Sequence, residues 1–242
     1  MYRYMDTQVS NVVARLQPAT EPAAHYLIGA HYDCVAGTVG ADDNASAVAV
    51  MMETAKAMQS IADDNGINIG ITFVAFALEE PPAYGTRYMG SRMFASQAKK
   101  EGMAIDCMIC LEMVGYTCRD PGCQHYPFPL QFFGYPKEGT FIGIVGNVKS
   151  LGFSRGLRKS FLRNPNLPVV SLTVPFNGRI LPAVRLSDHA SFWNKGYRAV
   201  MVTDSAFYRN PHYHRLSDTM ETLDFGFMAE LVLSLVGIFS SG

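Results

Sequence analysis

The 242 residues carry 20 Lys and Arg against 21 Asp and Glu, a formal net charge of −1, and 48% of them are apolar. Such a balance leaves no basic field for a nucleic-acid partner and no charged run for a membrane surface, while the apolar share suffices for a sizeable buried core. No apolar run reaches the roughly 18 residues of a membrane span, and no secretory signal precedes the first predicted strand. Compartment and oligomeric state stay open, and a peptide or small amide is the ligand class that remains.

Residues 9–16 and 25–31 are β-rich runs separated by Gln17-Pro-Ala-Thr-Glu-Pro, a turn by composition, and read as adjacent strands. Nothing before residue 9 reads as an element that would cover the first of them. Residues 45–62 hold no Gly or Pro and place Val48, Met51, Met52, Ala55 and Met58 on one face. That spacing predicts a helix with Asp43 or Asn44 at its N-cap. Residues 69–78 are almost wholly apolar, the pattern of a central strand covered on both faces, and end in Glu79-Glu80. A short helix over 90–100 leads to a second buried strand, 104–114, charged in its second half only at Glu112.

The Pro-, Gly- and aromatic-rich stretch 115–139 is too long for a simple connection and reads as a lid or pocket wall. His125, Tyr126, Phe128, Phe132 and Phe133 either line a specificity pocket there or form the loop's own small core. Further on come a strand at 141–145, a helix at 150–163, a strand at 169–174, a short capped helix within 186–196, a strand at 199–203 and a closing helix at 223–239. Alternating strands and helices imply a mostly parallel sheet with helices on both faces. With no repeat or linker, the chain reads as one domain over residues 1–242.

The five cysteines are Cys34, Cys107, Cys110, Cys118 and Cys123. Cys107 and Cys110 have CxxC spacing but lie in a strand-like run whose alternate side chains point to opposite faces, so no metal or redox pair is expected. Cys118 and Cys123 flank Arg-Asp-Pro-Gly, a turn that suits a local disulfide or two free thiols equally.

His31, Asp43, Glu79 with Glu80, and Glu112 stand at predicted strand ends, and His214 in a late loop. Singly, each is an ordinary solvated carboxylate or surface imidazole. Together they sit where an open α/β sheet gathers ligands, outside the carboxyl ends of its strands. Two imidazoles and three carboxylates, one of them bridging, match the donors of two zinc ions about 3.5–4 Å apart, an arrangement suited to hydrolysis.

The runs AHYD, GADDNAS, ALEE, LEMVGY, SDHASFW and YHRLSDT, in that order, resemble the M28 family of zinc aminopeptidases from about residue 9 to the last helix. The resemblance implies a three-layer α/β/α sandwich with a mostly parallel mixed sheet, lacking an N-terminal helical element. It also implies two Zn2+ with a bridging water, Co2+ or Mn2+ being possible substitutes. Carried over, His31 binds one metal, Asp43 bridges both and Glu80 binds either of them. His214 completes one ligand set and Glu112 the other, where the family more usually has Asp. Glu79 is the general base. Asp33 accepts the second N–H of His31; Asp188 either bonds toward the catalytic carboxylate or caps the short helix. Asp42 shapes the loop, His189 and Trp193 pack, His212 is a loop histidine, and a cis peptide joins Asp43 to Asn44. Two other readings share the scaffold: a glutaminyl-cyclase-like enzyme with one zinc, and a binding module without catalysis.

Overall fold

The computed structural model describes residues 1–18, 20–65 and 68–239. In chain order the strands are β1 (Tyr2–Tyr4), β2 (Thr7–Val9), β3 (Val12–Leu16), β4 (Ala24–His31), β5 (Ile69–Phe76), β6 (Cys107–Glu112), β7 (Ile142–Asn147), β8 (Val169–Val174) and β9 (Ala199–Thr203). The helices are α1 (Ala47–Asn65), α2 (Gly90–Lys100), α3 (Leu151–Phe161), α4 (His189–Asn194) and α5 (Phe225–Phe239). Seven strands form one sheet in the order β3-β5-β4-β6-β9-β7-β8. The central strands β5, β4, β6 and β9 run parallel, whereas β3 and β7 are antiparallel to their inner neighbours β5 and β9.

Helices cover both faces, as the alternating pattern predicts. Helices α1, α3 and α5 pack on one face and α2 with α4 on the other. The alternation along β6 shows how one strand feeds two cores: Ile109 and Leu111 join Ile28, Met58, Ile71 and Leu231, while Met108 and Cys110 join Leu27, Phe76, Phe192 and Trp193. Because β6 is buried throughout, the charge of Glu112 at its last position surfaces only at the carboxyl edge of the sheet.

Three expectations need correction. Residues 9–16 are not one strand but the end of β2 and all of β3, and the β1–β2 ribbon precedes them. Nor does β3 lie beside β4, because β5 separates them. The four residues Val12 to Arg15 are exposed, which suits a sheet edge, whereas β4 is buried from Leu27 to His31 and must be central. Finally, α1 starts at Ala47, and Asp43 and Asn44 before it have non-helical backbone (φ −105°, ψ 84° and φ −136°, ψ 29°), so neither is an ordinary N-cap. The peptide bond between them is cis. Cys118 and Cys123 form a disulfide, and Cys107 and Cys110 are buried free thiols.

Candidate metal centre

Each predicted site residue reaches the carboxyl edge of the parallel strands by its own route. His31 ends β4, Glu79 and Glu80 follow β5, and Glu112 ends β6. Asp43 lies in the turn into α1, and His214 in the loop after β9. Gly40 makes the turn before Asp43: its φ of 69° favours glycine, and a Cβ there would stand 2.7 Å from the Asp43 carbonyl oxygen.

The structure brings all six together. His31 Nε2 lies 3.4 Å from Asp43 Oδ1, 3.5 Å from Glu112 Oε1 and 4.0 Å from Glu79 Oε2. His214 Nε2 lies 3.1 Å from the other oxygen, Asp43 Oδ2, and 3.4 Å from Glu80 Oε1. Asp43 thus turns one oxygen to each imidazole. Donor atoms of His31, Asp43 and Glu80 also fall within 4.8 Å of one another, so the two sets adjoin.

Electrostatics show what this cluster suits. Burial pushes Glu80 up to about 8, with Asp43 adding to the effect, and Glu79 well above the usual range. Asp43 goes the other way, because the His214 and His31 imidazoles outweigh its burial. Burial would lower His31, but Glu112 and Glu79 raise it well above 6.5, and the nearby Asp43 carboxylate raises His214. Both Nε2 atoms are nonetheless buried without a hydrogen-bond partner. Four crowded carboxyls and two orphaned imidazole nitrogens fit divalent cations, and mixed N and O donors suit zinc.

The surrounding residues hold these donors in place. His31 Nδ1 meets the Asp33 carbonyl oxygen at 3.0 Å. The Asp33 carboxylate, expected to take that N–H, stands 3.7 Å away and instead accepts the backbone N–H groups of Glu79 (3.1 Å) and Glu80 (3.0 Å). Asp188 meets neither expectation. It makes no side-chain cap, and its two buried oxygens have no hydrogen-bond partner. Burial pushes its carboxyl up to about 7.

Asp42 shapes its loop as expected, accepting from Asn210 (2.7 Å) and the Gly115 N–H (2.9 Å). His189 packs against Trp193, and His212 bonds Ser217.

Three holding residues escaped the sequence reading, although all lie in the quoted runs. The Asp218 carboxylate accepts the Asp42 and Asp43 N–H groups at 2.9 and 3.2 Å. The Asn44 side chain bonds Leu111 O and Met113 N, tying the Asp43 turn to the end of β6. Ser187 donates to Glu112 Oε2 at 2.5 Å.

An apolar cavity of about 130 Å³ opens beside Glu112 and Tyr213, walled by Leu130, Phe141, Val145, Leu172, Met201 and Phe207. His125 and Tyr126 line it, whereas Phe128, Phe132 and Phe133 are 75, 72 and 67% exposed and stand outside.

Residues 11–143, more than half of the sequence, match the family description "Peptidase family M28". The chain belongs to peptidase family M28. This M28 chain is 36% identical to YfbL of Escherichia coli K12 over 230 residues, 92% of its own length and 68% of that relative's. It is 25% identical to leucine aminopeptidase 1 of Colletotrichum graminicola over 88% of its length and 49% of that protein's. The chain therefore spans about two thirds of one relative and half of the other.

Two solved structures share the M28 chain's fold. The zinc aminopeptidase BSAP of Bacillus subtilis has a TM-score of 0.67 at 19% identity, covering 94% of this chain and 48% of its own. A glutaminyl cyclase of Tannerella forsythia has a TM-score of 0.61 at 18% identity, covering 96% and 78%. Family membership places the chain among peptidases, which are hydrolases.

Proposed function

We propose that residues 1–242 act as one peptidase domain that removes N-terminal residues from peptides with two zinc ions. The observation that carries this reading is the division of the Asp43 oxygens, Oδ1 toward His31 and Oδ2 toward His214. On it, His31, Glu112 and Asp43 hold one ion, and His214, Glu80 and Asp43 hold the other. When bound, the metals lower the pKa of water and polarise the scissile carbonyl.

Glu79 then needs only to handle protons: it takes one from the attacking water and delivers it to the leaving amine nitrogen. Its buried position against Glu112 and Glu80 favours proton uptake. Asp33 fixes the orientation of His31 through its carbonyl and that of the Glu79-Glu80 backbone through its carboxylate, so one residue aligns a ligand and the base. The apolar cavity beside Glu112 receives a bulky apolar N-terminal side chain.

The glutaminyl-cyclase-like reading asks for one zinc, and the presence of both donor sets, His31 with Glu112 and His214 with Glu80, favours two. A module without catalysis would lack a ligand or the base, and all six residues are present. The test is hydrolysis of leucine p-nitroanilide and its N-acetyl analogue by zinc-loaded protein. The free-amine substrate should be cleaved and a chelator should abolish cleavage. Cleavage of the blocked analogue alone, or indifference to the chelator, contradicts the proposal.

A further inference from the structure

A second cleft of about 210 Å³ is lined by Tyr84, Arg92, Arg185, Ser187, Ser191 and Asn194 among others. Leu186 is a wall of both this cleft and the apolar cavity. Ser187, in the wall of the cleft, bonds Glu112 of the metal centre through its hydroxyl. Its charge is opposite to that of the centre. Among the described residues, neither Arg92 nor Arg185 forms an ion pair. Arg92 donates to the Gly85 carbonyl, and Arg185 to the Asn177 carbonyl and to Asn194 Oδ1 at 2.9 Å. These acceptors are neutral, so two positive charges stand uncompensated within a lined cavity. The Tyr84 phenol adds an O–H group to the same lining.

Paired guanidiniums bind carboxylates through parallel, charge-assisted hydrogen bonds. We infer that this cleft receives the free α-carboxylate of a short peptide whose N-terminal side chain fills the apolar cavity, so that dipeptides and tripeptides with an unblocked C-terminus are the preferred substrates. Leu186 lines both cavities, Glu112 lines the apolar one, and Ser187 lines the cleft and bonds Glu112, so both cavities adjoin the same residue of the centre. The inference rests on the proposed hydrolysis for the words "substrate" and "peptide". The carboxylate preference itself stands on the arginines.

The test compares Leu-Gly, Leu-Gly-amide and Leu-Asp-amide on the zinc-loaded wild type and on the Arg92→Gln and Arg185→Gln proteins, each first shown to keep its thermal midpoint. kcat and KM are measured, and calorimetry on Glu79→Gln protein gives the Kd of the same peptides without turnover. The free acid should exceed its amide by about tenfold in kcat/KM, through KM, and bind about tenfold tighter, with either substitution cutting the ratio to about twofold. Leu-Asp-amide should behave like Leu-Gly-amide; if it takes the advantage instead, the α-carboxylate assignment is overturned. Equal values for acid and amide, or a ratio that survives both substitutions, overturn the inference. If no peptide is hydrolysed but the free acid still binds tightly through these arginines, the hydrolase reading falls and the cleft stands.

Discussion

At the scale of single residues, the proposed chemistry hangs on Glu79 and on how Glu112 is held. Glu79→Gln removes the proton acceptor without changing the side chain's size. It should lower kcat on an aminoacyl anilide by ~10²–10⁴-fold while leaving zinc content, read by elemental analysis, unchanged. Ser187 fixes Glu112 Oε2, while Cys110 Sγ stands 3.2 Å from the same hydroxyl. Ser187→Ala frees that carboxylate and should weaken the binding of one zinc ion by ~10-fold or more in a competitive chelator titration, with the other ion unaffected.

His189 sets a stability slope of its own. Burial holds it at about 4, below its ordinary 6.5. As pH falls below 6.5 the unfolded chain takes up a proton that the folded chain refuses, so stability is full above 6.5 and declines toward pH 4. The whole window is worth ~3 kcal/mol. The drop in thermal midpoint between pH 7 and pH 5 should therefore be smaller in His189→Gln than in the wild type.

At the scale of elements, the long parallel strands and the helix after Asp43 were legible because burial and periodicity leave direct marks: β5 is apolar nearly throughout, and α1 has one apolar face. The gathering of His31, Glu79, Glu80 and Glu112 at one sheet edge was legible for a related reason, since a polar group at the end of an apolar strand has few places to go. Strand pairing was not legible. Exposed Val12 to Arg15 pair with β5 through backbone hydrogen bonds, which leave no side-chain signature.

The clamps were hidden by separation. Asp218 holds the N–H groups of Asp42 and Asp43 from 176 and 175 residues away, and nothing local distinguishes it from a turn Asp. Asp218→Ala leaves those buried donors unsatisfied and should cost about 2–4 kcal/mol of unfolding free energy by denaturant titration. It should also weaken zinc binding, because the Asp43 turn loses its anchor.

At the scale of the whole molecule, the chain is nearly neutral yet concentrates four carboxyls at one sheet edge, with two arginines in the second cleft. Packing such like charges together opposes folding unless cations join them. A metal that binds only the folded chain adds stability by mass action, ~4 kcal/mol at a thousand times its Kd. Zinc-loaded protein should accordingly melt several degrees above the same protein in chelator, and Asp43→Ala should erase that difference.

The zinc content of exhaustively dialysed protein tests the two-ion centre most directly, measured on the wild type, Glu112→Ala and Asp43→Ala. A centre divided at Asp43 predicts about two ions per chain in the wild type, about one without Glu112 and none held tightly without Asp43. About one ion in the wild type, or two retained without Asp43, would contradict it.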